Sequence, residues 1–159
     1  MARKIFISYQ HKDQMKAKGF NLLKWNKNVD IEFVGKHLLD PVDSKNEEYI
    51  KSKVLEQLKG TSVTVVLIGK ETHESDWVKW EIEKSLDKDK SNGILAIRLE
   101  KDVPLSKDSP VGEILNDCGA EIIDWDPHEF SDAIERAVKA AGRITAIRAA
   151  GVGGGSCAR

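Results

Sequence analysis

The chain reads as an α/β domain built on a parallel sheet. Three observations predict it. Short β-branched and apolar runs alternate with helical patterns from one end to the other. The links between them are short, as crossover units require. One run, "SVTVVLIG" over 62–69, is the most apolar in the chain, as suits a central strand buried on both faces.

The elements follow in order. "KIFISY" over 4–9 is a β-branched and aromatic run, a buried-strand candidate at the start. Residues 13–25 carry a helical pattern weakened by Gly19. "VDIEFV" over 29–34 alternates as a half-buried strand does, and 35–43 read as a loop with Gly35 and Pro41. A helix over 44–60 opens on a capping box, Ser44 with Glu47, presents Ile50, Val54 and Leu58 on one face, and stops at Gly60.

The apolar run 62–69 is the expected central strand, followed by a helix over 76–88 and a strand over 93–99. "PVGEILNDC" forms a short helix in the next loop, and 120–125 form a last strand. Asp126, Pro127 and Glu129 supply the cap, first-turn proline and capping acid of a final helix. Its Phe130, Ala133, Ile134, Ala137, Val138 and Ala141 share one face, and Gly142 is expected to end it. These elements sum to a flavodoxin-like three-layer sandwich, a central five-stranded parallel sheet with helices on both faces. The domain is expected over 3–142. Residues 143–159 read as a flexible tail whose "GGGS" has the composition of a linker or an expression remnant.

Composition excludes several classes. A length of 159 residues allows one domain with a real core, and 40% hydrophobic residues against 32% charged place it with globular rather than disordered chains. The net charge is −1 and no basic block stands out, so no nucleic-acid footprint is indicated. No run approaches the roughly 18 apolar residues of a membrane span. The start enters a strand pattern with no apolar leader, and the cysteines are few, Cys118 and Cys157. A cytoplasmic protein without disulfides is expected.

In a parallel sheet ligands sit beyond the carboxyl ends of the strands. The loop after the first strand reads "SYQHKD", with no glycine for a dinucleotide fingerprint and little serine or threonine for a flavin phosphate. "GVGGGS" over 151–156 lacks the last glycine and follows a helix, and no P-loop occurs. The central strand ends without the aspartate of a phospho-receiver. His11, His37, His73 and His128 are never three or four apart, so no metal site is expected. Cys118 reads as a small buried hydrophobe.

"SDWVKWEIEKSL" over 75–86 survives these tests. Val78, Ile82 and Leu86 form a core stripe, and Trp77 and Glu81 lie one turn apart beside it. From spacing alone the favoured reading is that Trp77 covers the core and Glu81 pairs with Lys84 or Lys88. The other is that Glu81 borders a cleft against an aromatic wall.

Three segments, "KIFISYQHKD", "SKNEEYIKSKVLEQLKGTSVTVVLIGKET" and "SDWVKWEIEKSL", resemble in order three parts of the Toll/interleukin-1 receptor (TIR) domain. The resemblance spans roughly 3–141 and is nearest to the prokaryotic TIR-like proteins of Thoeris anti-phage defence. It implies NAD+ cleavage, with Glu81, four residues after Trp77, as the catalytic residue and Trp77 as a wall of the pocket. It places Ser8, Tyr9, Gln10 and His11 where family members contact the nucleotide, and Asp40 in the flexible loop that borders the cleft and mediates assembly. The residues by themselves allow Tyr9 to pack at the sheet edge, Ser8 to cap a turn and Asp40 to sit in a surface turn before Pro41.

The implied substrate is NAD+, with no further cofactor. The implied product is of ADP-ribose type, linear or cyclic, and signals to a separate effector protein; self-association through TIR surfaces is also implied, and neither nucleic acid nor membrane is a partner. The "R-D-x-x-P-G" and "F-W" boxes of animal receptor-adaptor TIR domains are absent, which argues against an adaptor role. A non-catalytic TIR interaction module is the alternative.

Overall fold

A computed structural model of the chain describes residues 3–10, 33–36, 47–88 and 90–149. Its strands are β1 (Arg3–Tyr9), β2 (Phe33–Lys36), β3 (Val63–Ile68), β4 (Gly93–Arg98) and β5 (Glu121–Asp124). They lie side by side in the order β2-β1-β3-β4-β5, and every neighbouring pair is parallel. The helices are α1 (Glu47–Leu58), α2 (Asp76–Leu86), α3 (Pro110–Asp117) and α4 (Pro127–Ala149). The α/β class with a parallel sheet, expected from the sequence, is the class the chain adopts. Among the described residues no helix is long and apolar enough to cross a membrane.

Alternation along the strands sends side chains to two cores. Ile5, Ile7, Val63, Val65, Leu67, Leu95 and Ile97 face α4, which answers with Phe130, Ala133, Ile134 and Ala137. The intervening residues Val66, Ile68, Ile94 and Ala96 face α2 and α3 through Val78, Ile82, Leu86, Val111 and Leu115. Phe6 looks the same way and packs on Val54 and Leu58 of α1. The side chains of β3 are buried from end to end, as its apolar run anticipates.

Capping chemistry sets the helix starts. Ser75 and Ser109 accept the amides of Val78 and Gly112, each at 3.1 Å, at the heads of α2 and α3. Asp126 Oδ1 accepts the amide of His128 at 3.1 Å at the head of α4. Gly60 takes φ +76° just past α1, the left-handed geometry that stops a helix there.

Two boundaries differ from the sequence reading. The sequence places Gly35 and Lys36 in a loop, but they continue β2 and pair with Ile5 and Phe6. A glycine costs a strand packing, yet parallel pairing with the buried β1 fixes it in the ladder. Helix α4 runs through Gly142 to Ala149, so the tail does not begin at 143. Gly142 does not adopt positive φ. Without the left-handed turn a glycine only weakens a helix, by about 1 kcal/mol. The expected helix over 13–25, Ser44 of the capping box and residues 150–159 lie outside the described residues.

Candidate active site

Ser8 is the penultimate residue of β1 and shares a face with Phe6, so its hydroxyl points toward the α1–α3 side of the sheet. Pairing with Val66 of β3 on one flank leaves Ser8 fully buried. Helix α2 descends antiparallel to β3 from its cap at Ser75. Its buried face comprises Val78, Glu81, Ile82, Ser85 and Leu86. The stripe is thus wider than the i, i+4, i+8 pattern, and Glu81 sits within it rather than at its border.

The two meet. Ser8 Oγ donates to Glu81 Oε1 at 2.7 Å, and Glu81 is only 5% exposed. No other hydrogen bond or ion pair reaches the Glu81 carboxyl among the described residues. Lys84 lies 3.9 Å from Asp87, and Lys88 Nζ donates to the Thr61 carbonyl and to Asn92 Oδ1. The ion pair from Glu81 to Lys84 or Lys88, favoured by spacing, is therefore not formed. Burial without a compensating cation pushes the carboxyl from 4.5 up to about 8, with the Ser8 hydrogen bond pulling weakly the other way.

An aromatic layer flanks this pair. Trp77, partly buried, packs against Phe6, Val54 and Leu58, and its ring centroid lies 5.2 Å from that of Trp80. Lys51 Nζ stands 5.3 Å over the Trp80 ring. The tryptophan pair joins α2 to α1 on the face that carries Ser8.

The other expected contacts divide. Tyr9 points to the opposite face and packs, partly buried, on the α4 core. Gln10 follows β1 directly and is partly buried. His11 and Asp40 lie outside the described residues. Ser8 caps no turn: it is the partner of Glu81, a role that the sequence reading missed. Trp80 was also missed, although an aromatic three residues after Trp77 lies on the same side of a helix. Among the described residues no group of three His, Cys, Asp or Glu side chains could hold a metal ion.

The fold and site define an α/β domain with one buried acid near the carboxyl end of its parallel sheet, on the helix that follows the central strand. A family described as Thoeris protein ThsB, TIR-like domain, has a sequence model that matches residues 6–104. The chain belongs to this family, and the match contains Ser8, Trp77 and Glu81. Among solved structures the chain is similar to the TIR domains in the activated Roq1 resistosome directly recognizing the pathogen effector XopQ. That likeness has 14% identity and a TM-score of 0.41, over 96% of this chain and 86% of that one. No curated protein matches the chain.

Proposed function

We propose that the chain is a TIR-type NAD+ glycohydrolase or cyclase with Glu81 as its catalytic carboxylate. It releases nicotinamide and leaves an ADP-ribose-type product, linear or cyclic, that signals to a separate effector in bacterial anti-phage immunity. The observation that carries this reading is the buried Glu81 carboxyl, held among the described residues by Ser8 alone, near the carboxyl end of β1. Membership in the Thoeris TIR-like family supports it. So does a strand order, β2-β1-β3-β4-β5, that we read as flavodoxin-like, with the three layers set by α4 on one face and α1–α3 on the other.

One carboxylate suits this chemistry. When the bond between ribose C1′ and the nicotinamide nitrogen breaks, its electron pair goes to the ring, which leaves neutral. No acid is needed for the leaving group, unlike a sugar alkoxide, which must be protonated. Positive charge grows on the ribose, and an ionised Glu81 beside it stabilises that charge. Water, or a nucleophile from the same nucleotide, then attacks C1′. The Trp77 wall keeps the space dry, so the charge interaction is little screened.

The raised Glu81 carboxyl fits the same picture. A cationic nicotinamide ring beside Glu81 favours its ionised form, so substrate itself prepares the acid. A scaffold would gain nothing from a buried carboxyl with no cation beside it among the described residues, which costs stability.

The test is chromatography of NAD+ incubated with concentrated protein, wild type beside Glu81→Gln. Nicotinamide released by the wild type and not by the variant is the expected result. Equal release by both removes Glu81 from the mechanism. Silence from both at high protein concentration favours a non-catalytic interaction module.

A further inference from the structure

The interface between α2 and the sheet contains a second polar set that does not touch Ser8. Thr64 Oγ1 and Ser85 Oγ lie 2.6 Å apart, and Ser85 Oγ donates to the backbone carbonyl of Glu81 at 2.8 Å. The proton between the two hydroxyls therefore comes from Thr64. Thr64 Oγ1 in turn accepts from Asn92 Nδ2 at 3.1 Å, and the Asn92 amide donates to the Ser85 carbonyl at 3.0 Å. Asn92 Nδ2 also donates to Thr61 Oγ1 at 2.9 Å. Ser85 and Thr64 are fully buried and Asn92 is 1% exposed.

We infer that Thr64, Ser85 and Asn92 are positioning residues for Glu81, their hydrogen-bonded chain setting the register of α2 on β3 and so the place of the carboxyl. The inference rests on the reading of Glu81 as the catalytic acid. Its test keeps the two apart.

Three arguments carry it. Apart from the Ser8–Glu81 pair, the rest of this interface is apolar, Val66, Ile68, Ile94 and Ala96 against Val78, Ile82 and Leu86. Apolar contact is non-directional and does not fix where along the strand a helix sits. Hydrogen bonds at these lengths tolerate little displacement. Stability does not explain the set, because replacing both hydroxyls by apolar groups of the same shape is close to neutral. A serine bonded back to the carbonyl four residues earlier even weakens a helix slightly. Finally, the carbonyl that Ser85 grips is that of Glu81 itself. The chain thus holds the turn bearing the carboxyl, while Ser8 holds its other end from β1.

The variants are Thr64→Val, Thr64→Ser, Ser85→Ala and the double Thr64→Val/Ser85→Ala. Two readouts apply, the ionisation midpoint of Glu81 from carbon-13 carboxyl titration and the kinetics of NAD+ cleavage. Thr64→Val and Ser85→Ala are expected to lower kcat roughly ten- to a hundredfold, the cost of a small misplacement, with KM within about twofold. The midpoint moves upward as the Ser8 hydrogen bond lengthens. Thr64→Ser restores both. The double variant recovers thermal stability without recovering kcat or the midpoint. Folded variants that change melting temperature alone, with midpoint and kcat as in wild type, overturn the inference. If the wild type does not cleave NAD+ yet the midpoint moves, the positioning role stands and the NAD+ reading falls. An unmoved midpoint overturns the positioning role whether or not NAD+ is cleaved.

Discussion

Ser8 and Glu81 are separated by 73 positions in the sequence and by 2.7 Å in the fold. The hydroxyl is the only hydrogen-bond donor to the carboxyl among the described residues, and it comes from the other side of the β1–α2 interface. Each property of Glu81 that can be measured is therefore a property of this pair.

The first consequence is for rate against pH. A carboxylate that stabilises a developing cation acts only when ionised, and burial pushes the Glu81 carboxyl up to about 8. In NAD+ turnover, kcat/KM should rise with pH and bend near that value, since it reports the free enzyme. The bend in kcat should lie lower, because bound cationic substrate favours the carboxylate. Ser8→Ala removes the one influence that lowers the value, so it should push the kcat/KM bend upward. A profile flat from pH 6 to 9 would contradict the assignment.

Stability should depend on pH with the opposite sign. Below about 4.5 both folded and unfolded chains hold the Glu81 proton. Between about 4.5 and 8 the unfolded chain has lost it while the native chain keeps it, so the native state binds more protons and stability falls as pH rises. Above that window the difference is constant. The full loss is on the order of a few kcal/mol. Glu81→Gln carries no such slope and should gain on the wild type in urea melts from pH 5 to 8. Parallel stability curves would mean that Glu81 is ionised in the native protein.

Trp77→Ala should destabilise the fold by about 2 kcal/mol, since it opens the contact with Phe6, Val54, Leu58 and Trp80. Trp77→Phe should retain most of that stability and lose the near-ultraviolet circular dichroism of the stacked indoles. Unchanged stability in the alanine variant would show that the aromatic layer is peripheral.

A fourth prediction concerns the opposite face. A β-carbon on Gly93, at the start of β4, would stand 2.3 Å from the Ala137 carbonyl oxygen of α4. The obstacle is backbone and cannot rotate away, so Gly93→Ala should cost about 2–3 kcal/mol in chemical denaturation. Activity measured well below the transition should be retained, because Gly93 lies far from Ser8 at the other end of the strands.

Much of this was legible in the sequence because local rules dominate there. The apolar run of β3, the cap at Asp126, and the stripe of Phe130, Ala133, Ile134 and Ala137 each follow from composition and spacing alone. What escaped depends on neighbours distant in sequence. Gly35 is a strand residue only because β1 pairs with it. Lys84 and Lys88 are in reach of Glu81 by helical spacing, but Asp87, Thr61 and Asn92 take them. Ser8 and Tyr9 are adjacent, yet the pleat sends one to Glu81 and the other to the α4 core. The hydroxyls of Thr64 and Ser85 were visible as polar letters at core positions, and nothing local said that they would meet.

The strand that carries Ser8 is the first in the chain, yet it lies inside the sheet, between β2 and β3. A nascent polypeptide must therefore leave β1 waiting until β3, more than fifty residues later, is available to receive it. Until β1 docks beside β3, Glu81 can only be a solvated, ionised side chain on an incompletely packed helix. Insertion of β1 seals the interface, and at neutral pH the acid takes up a proton as it closes. Proton uptake in a refolding experiment would thus time the birth of the site separately from the appearance of helix.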